Sequence, residues 1–518
     1  MQTDMESIHN AFLEIDQRAE RATDDILKDT FVDTKPLFNM LSSRNNQIIY
    51  GRRGTGKTHA LKYLQNVIIN KDEFPVYIDL RNVGSNGSIY TDPARPLSDR
   101  AATLISDVLL SIYDILNRRA SQSIKEFIHP HIILEALEEL RNSIGEMRIS
   151  GSVDIEEKTQ ESSERKNNLS IKKDEKFGIS FNTERSGSSH ESASIKQSGK
   201  NLLHINFGRI STSLSAIIDI LNIKRLWVLL DEWSEVPMDL QPYLSDLIRR
   251  TILPERKISI KIAAIEHRSN FSISINRGEY IGLELGADIS ANLNLDDFLV
   301  FDNDKKRSID FFKTLLFKHI ITSGSIPDSV KTPDDLVRVL FTQTATFEEF
   351  VQAVEGVPRD ALNLMTKIVS KAWGKKAGMK EIRDAARDWY NTDKIRSIQN
   401  NEYLTRFLNY IVDEIIGNRK AKAFLVKSNM KLDEIDELFD FRVLHILKKN
   451  ISSRDEPGIR YDAYKIDYGC YVELINTSQS PHGMIETEDG AYIDVPKDDY
   501  RAIRRAILNI DTFRALSK

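Results

Sequence analysis

The 518 residues predict a three-part architecture: an α/β core on a parallel sheet, an all-helical segment, and a C-terminal α+β segment. Three observations support this. A glycine-rich run at residues 51–58 follows a short apolar strand and opens a helix. A second strongly apolar strand, residues 225–230, ends in Asp231-Glu232. From about residue 306 to 395 the pattern is helical almost throughout, and strand-like runs return near 460 and 470. Strands alternating with helices indicate parallel crossovers, whereas a long run of helices indicates a separate layer.

Residues 5–41 have helical spacing with a break near Thr30 to Asp33, and lead into the strand Gln47-Ile48-Ile49-Tyr50. Helical spacing from His59 to Ile69 precedes a second strand over 75–80, then a loop rich in Gly, Asn and Ser. Residues 97–117 and 124–144 predict two helices over the sheet, because their apolar positions recur at helical spacing. Residues 151–200 are rich in serine and mixed charge and nearly lack large apolar groups. Such a stretch cannot bury a core, so a flexible insertion is expected, with a polar hairpin through 176–182 and 202–207 as the alternative. A helix at 210–221, the strand at 225–230, a helix at 240–252 and a strand at 258–265 complete the expected core. The divisions are then 1–45, an N-terminal helical linker; 46–305, the core; 306–395, a helical lid; and 400–518, a C-terminal domain.

At this length two to four domains are expected. The composition, 41% hydrophobic and 29% charged, is that of a globular protein. A membrane span is not expected, since no stretch of about 18 apolar residues occurs. The polar, acidic start lacks the pattern of a secretory signal, so a cytoplasmic location is expected. One cysteine, Cys470, excludes an internal disulfide and a multi-cysteine zinc site. The net charge of -5 means that any contact with DNA must come from a local basic patch.

Gly51-Arg52-Arg53-Gly54-Thr55-Gly56-Lys57-Thr58 satisfies the phosphate-loop pattern G-x-x-x-x-G-K-[ST], the Walker A motif. Its glycines let backbone N–H groups face phosphate oxygens, and the helix that follows presents its positive end. Lys57 would reach the β and γ phosphates, the Thr58 hydroxyl would ligate Mg2+, and His59 opens the helix. Asp231-Glu232 at a strand end fits the Walker B motif: Asp231 would contact the metal shell and Glu232 would polarise the attacking water. Solvated acids at a strand end would look the same in isolation; the phosphate loop decides between the readings. The expected cofactors are ATP and Mg2+, and no Asn-Lys-x-Asp run argues for guanine. Neither His267 nor the pair His129 and His131 has partners at metal-ligand spacing.

Three phrases, Ile49-Tyr-Gly-Arg-Arg-Gly-Thr-Gly-Lys-Thr-His59, Leu229-Leu-Asp-Glu-Trp-Ser-Glu-Val-Pro237 and Lys261-Ile-Ala-Ala-Ile-Glu-His-Arg268, are followed by Gly356-Val357-Pro358-Arg359 in the helical segment. Together they resemble the AAA+ ATPases of the origin-recognition and helicase-loader clade, over roughly residues 30–475. The resemblance implies an AAA+ core with a helical lid and a winged-helix-like C-terminal domain. It also implies ATP hydrolysis, a possible homo-oligomer in the ATP state, and a lid arginine, Arg359, on the γ-phosphate. A bland reading of Arg359, an exposed residue in a helix's first turn after Pro358, stands beside that role. Where the clade carries a polar sensor after the core strand, this chain has Glu266-His267-Arg268-Ser269-Asn270. Arg268 could be a finger reaching a neighbouring subunit or a partner for Glu266, with Arg249 and Arg250 as rival fingers.

The C-terminal segment predicts a helix over 402–426, a second over 434–449, and strands near 460–466 and 470–475. On a winged helix, Lys448, Lys449, Arg454 and Arg460 would flank the helix end and the wing, making residues 400–480 the expected DNA-contacting part. Acids at 433, 434, 436, 437 and 440 lie just upstream, so ordinary solvated charges on a protein-docking domain fit nearly as well. The leading expectation is an ATP-driven switch acting on DNA or a DNA-processing partner. The alternative is a nucleotide-gated signalling scaffold, of the kind used in defence against phage, whose C-terminal domain binds protein.

Overall fold

The computed structural model describes residues 2–83, 90–123, 130–145, 205–474 and 507–516, apart from positions 17, 20, 277, 303, 325, 326, 328, 420, 431 and 453–457. It also describes the backbone of short strands within 147–157, 193–203, 485–486 and 492–493.

The core is a five-stranded, wholly parallel sheet in the order Ser290–Asn294, Gln47–Tyr50, Ile258–Ala264, Leu226–Asp231, Phe74–Asp79. The three central strands are buried at every position, which explains why they read as continuous apolar runs. The edge strand Ser290–Asn294 is polar and half-exposed, and its sequence gave no strand signal. Helices Leu97–Ser123, Pro130–Ile144, Phe207–Ile220 and Gln241–Thr251 share one core with one face of the sheet. Leu61, Leu64 and Ile68 of the helix Lys57–Ile69 pack with Phe31 and Leu41 on the other face.

Of the expected insertion at 151–200, residues 158–192 lie outside the described residues, and with them the run 176–182. Its ends pair: Val153–Glu157 runs antiparallel to Ala193–Gln197, and Met147–Ser150 to Lys200–Leu203.

Lys305–Thr322, Pro333–Leu340, Thr344–Val354, Pro358–Lys371 and Met379–Trp389 form the helical segment. Its hydrophobic core is continuous with that of the C-terminal part, through residues such as Ile382, Tyr390, Leu438 and Tyr468. The C-terminal part is α+β, with a three-stranded antiparallel sheet in the order Ala423–Lys427, Arg460–Ile466, Leu444–Ser452.

Three sequence expectations need correction here. The helix from Glu402 continues as a π-helical turn to Asn418, but residues 423–426 are strand. The helix expected over 434–449 is only Asp433–Asp440; Arg442 at φ +63° ends it, and Lys448 and Lys449 lie on a strand. Alternating exposure of residues 447–452 gives the period of two that helical counting overlooked. Residues 468–471 are a helical turn capped by Asp467, which holds Cys470 among buried neighbours, with its thiol pushed up to about 11 by burial.

Lys261 is buried in the middle of the sheet, where its Nζ donates to Asn45 O (2.8 Å) and to Gln47 Oε1. Burial pulls its pKa down to about 7. An unfolded lysine titrates near 10.5, so the unfolded chain binds the extra proton between the two values, and stability should rise with pH across that window. The expected gain from pH 7 to 9 is roughly 1 kcal/mol per pH unit, read by urea denaturation. Lys261→Met should remove this slope; an equal slope in the variant would assign it elsewhere.

Candidate functional site

The strand Gln47–Tyr50 delivers the phosphate loop to the C-terminal end of the sheet, with the strand Ile258–Ala264 between it and the end of Leu226–Asp231. A Cβ on Gly51 would fall 2.5 Å from Thr55 Oγ1. Gly54, at φ +91°, could not carry one either, because it would fall 2.9 Å from Arg359 Cβ. The backbone N–H of Arg359 donates to Gly54 O (3.1 Å), so the helical segment sits directly on the loop. Lys57 is buried, and its Nζ donates to Gly51 O (2.7 Å) and Arg52 O (3.0 Å). Burial pulls its pKa down, against the Glu232 and Asp231 carboxylates that favour its charge.

Asp231 is fully buried and oriented on both oxygens: Tyr77 Oη donates to Oδ2 (2.8 Å), and the Glu232 N–H donates to Oδ1 (2.9 Å). Glu232 adopts φ +56°, a conformation a glutamate rarely holds unless its surroundings impose it. Burial and then the Asp231 carboxylate raise its pKa, with Lys57 and Arg81 opposing. Arg81 pairs with Asp79 (2.6 Å) and reaches Glu232 at 4.0 Å.

Part of this set lines one cavity of about 370 Å³, and Asp231 lies outside its lining. Arg53, Gly54, Gly56, Lys57, Thr58 and His59 line it from the loop; Arg81, Glu232 and Glu235 from the sheet; Pro358, Arg359 and Leu362 from the helical segment. Arg53 Nη2 pairs with Glu235 Oε1 (3.0 Å) at an exposed edge. The donor set fits a polyphosphate: Lys57, Arg359 and the N-terminal turn of a helix face one space, beside Arg53 and Arg81, which are paired with Glu235 and Asp79. The residues also suit a divalent cation, since Thr58 lines the cavity and the Asp231 carboxylate is near enough to Lys57 to favour its charge.

Four arginines among the sequence candidates lie elsewhere. Arg268 does not line the cavity; its Nε pairs with the buried Asp440 Oδ2 (2.8 Å) of the C-terminal part. Its neighbours follow suit, with Glu266 bound to Lys449 and His267 to Asp436 (3.1 Å). Arg249 and Arg250 both pair with Asp246 of their own helix. Arg52 is a loop residue but turns away from the cavity, and is buried. Its Nε pairs with Asp296 (2.7 Å), Nη1 donates to Leu444 O (3.2 Å) and to His445 Nδ1 (2.9 Å), and the guanidinium stacks over Phe439 at 4.4 Å. Arg81, Tyr77 and Asp296 were not found from the sequence. Arg81 lies two residues beyond a strand end, a position at which α/β sites recruit side chains, and that was the available signal.

Among the described residues no helix is long and apolar enough to cross a membrane, and no cluster of His, Cys, Asp and Glu could hold a metal by itself.

No curated protein matched. Among solved structures, Cdc6p from Pyrobaculum aerophilum shares 10% identity over 88% of this chain and 98% of its own, with a TM-score of 0.31. The Orc1 protein of Aeropyrum pernix, solved in complex with DNA, shares 11% over 86% and 93%, with a TM-score of 0.33. A RuvB variant from Thermotoga maritima shares 13% over 51% and 83%, with a TM-score of 0.24. The model of the family described as ORC-CDC6-like matches residues 16–344, more than half of the chain. With its phosphate loop, Glu232 and Arg359 lining one cavity, the chain belongs to the ORC-CDC6-like family of AAA+ proteins.

Proposed function

We propose that this protein binds and hydrolyses MgATP and passes the state of the nucleotide to its C-terminal domain, which engages DNA or a DNA-processing partner. The observation that carries the proposal is the convergence of Lys57, Glu232 and Arg359 on one cavity, while Arg52 of the same loop is held by the C-terminal sheet. In this reading, backbone N–H groups of residues 54–58 and Lys57 hold the β and γ phosphates. Mg2+, held by Thr58 with Asp231 behind it, would neutralise charge developing on the phosphates. Glu232, its basicity raised by burial, orients and deprotonates water. Arg359, carried on the helical segment, meets the γ-phosphate and closes that segment onto the loop.

Lys57→Ala should weaken MgATP binding by about a hundredfold or more, as expected when one partner of a buried charge pair is removed. Calorimetry showing unchanged affinity would end the phosphate-loop assignment. DNA binding is read from the salt dependence of its affinity. The exposed Lys448 and Arg460, each changed to Glu, should weaken binding and flatten the salt slope by about one unit per lost phosphate contact. Lys449 is unsuited to this test because it pairs with Glu266 of the core (2.6 Å).

One observation favours the second reading, a nucleotide-gated scaffold whose C-terminal domain binds protein. The one helix among the described residues between the strands Ala423–Lys427 and Leu444–Ser452, Asp433–Asp440, carries Asp433, Glu434, Asp436, Glu437 and Asp440 and no basic residue, which suits a protein contact better than a phosphate backbone. Absence of DNA binding at low salt in every nucleotide state, together with ATP-dependent assembly, would select that reading.

A further inference from the structure

Phosphates held at residues 54–58 leave the nucleotide base at the opposite end of the cavity, lined there by Ile15, Ala22, Ile26, Leu27, His319 and Leu362. The charged residues at this end, Glu14, Asp16 and Arg18, are exposed at its rim. The hydroxyl groups at this end are committed as donors. Thr30 Oγ1 donates to Ile26 O (2.6 Å), Thr322 Oγ1 to Lys318 O (2.9 Å), and Ser323 Oγ to Ile320 O (2.7 Å).

The two imidazoles are constrained in the same way. His59 Nε2 lies 2.7 Å from Leu27 O, which can only accept, so Nε2 carries the proton and ties the segment Asp24–Thr30 to the helix of the phosphate loop. His319 Nδ1 lies 2.9 Å from Leu315 O, so its proton is on Nδ1. Burial pulls the His319 pKa down to about 4, and the ring is neutral at physiological pH. Its Nε2 is then an acceptor on a residue that lines the cavity, with no hydrogen bond seen among the described residues. The walls of the base end therefore offer acceptors and apolar surface.

We propose that His319 is the base-selecting residue of this site, its Nε2 accepting a hydrogen bond from the exocyclic amine of the base, so that the site takes adenine over a purine with a carbonyl at that position. The proposal rests on the nucleotide reading of the cavity. An amine donates into the lone pair, whereas a carbonyl oxygen would face it with a second lone pair, and a bare ring carbon would leave the acceptor buried and unpaired.

The test compares equilibrium binding of MgATP, of purine riboside triphosphate, which lacks only the amine, and of inosine triphosphate. The wild-type chain should prefer ATP over the other two by about tenfold or more, the worth of one buried hydrogen bond. His319→Leu should bring the three affinities within about threefold of one another, because the phosphates hold each equally. His319→Gln, whose amide oxygen can accept, should retain the preference for ATP. Equal binding of ATP and purine riboside triphosphate by the wild-type chain would overturn the assignment, as would an undiminished preference in His319→Leu. Should His319→Leu not fold, the wild-type comparison and His319→Gln still decide. Binding of none of the three triphosphates by the wild-type chain would overturn the nucleotide site itself, an outcome distinct from equal binding.

Discussion

Glu232→Gln should bind MgATP with near wild-type affinity and hydrolyse it on the order of 10²–10⁴ times more slowly, the usual contribution of a positioned general base. The amide keeps the shape of the carboxylate but cannot take the proton of water. Three features place the burden on this residue. Its pKa is raised by burial and by Asp231; its backbone is held at φ +56°; and among the acids lining the cavity, Glu14, Asp16 and Glu235 are more exposed or lie at its edge. Arg81, 4.0 Å away, competes for the same carboxylate, so Arg81→Ala should change the rate far less than Glu232→Gln while leaving nucleotide affinity intact. Single-turnover hydrolysis and nucleotide binding measured on the same preparations separate these effects. Wild-type turnover in Glu232→Gln would place water activation on another group.

The parts of this site that follow one another in sequence were legible, and those brought together across the chain were not. Residues 51–58 and Asp231-Glu232 each carry their meaning locally: a loop that needs glycine, a helix that starts at Lys57, and a buried strand that stops at two acids. The parallel core could be read for the same reason, since strands buried on both faces are continuous apolar runs. Arg52 was read as one more phosphate-loop residue; its pairing with Asp296 and His445 spans 244 and 393 positions, and nothing near it encodes those partners. The C-terminal helix was overextended because Ile435, Leu438 and Phe439 are followed by Val443, Leu444 and Ile446, which continue the apolar run through the turn at Arg442 into a strand. Arg268 was left open between a finger to a neighbouring subunit and a partner for Glu266, because only residues close to it in sequence could be weighed. Asp440, which neutralises it here, lies 172 residues away.

Lys394→Met should destabilise the protein by about 3–5 kcal/mol and weaken MgATP binding at the same time, though Lys394 does not line the nucleotide cavity. Its ammonium is sealed between two carboxylates, Asp467 Oδ2 and Asp360 Oδ2 (3.3 Å), and all three side chains are almost completely buried. Removing the cation leaves both acids without their shared partner, a cost that surface pairs such as Lys371 with Asp388 do not approach. The link to nucleotide is positional. Asp360 follows Arg359 in the helix Pro358–Lys371 and is also held by Arg442 Nη1 (2.5 Å); Asp467 accepts from His445 Nε2 (2.8 Å), whose Nδ1 accepts from Arg52 of the phosphate loop. One buried ionic chain thus runs from the loop through the C-terminal sheet to the residue beside the lid arginine. Burial alone would raise the Asp467 pKa, but Lys394 and His445 hold it well below the usual carboxylate range. Its stabilisation is therefore present above about pH 4 and lost as pH falls below that. Burial takes His445 down to about 3, which removes stability as pH falls from 6.5, while Glu355, pushed up to about 7 by burial, adds stability as pH falls toward 4.5. These two oppose each other near pH 5 to 6, so the acid loss should be concentrated below pH 4, and Lys394→Met should blunt it. Urea denaturation at pH 7, pH 4 and pH 3 with Lys371→Met as the surface control reads the loss of stability and its acid dependence, and nucleotide titration reads the second effect. A loss below 1 kcal/mol with unchanged MgATP affinity would show that the chain is neither a support for the fold nor a link between the C-terminal domain and the nucleotide site.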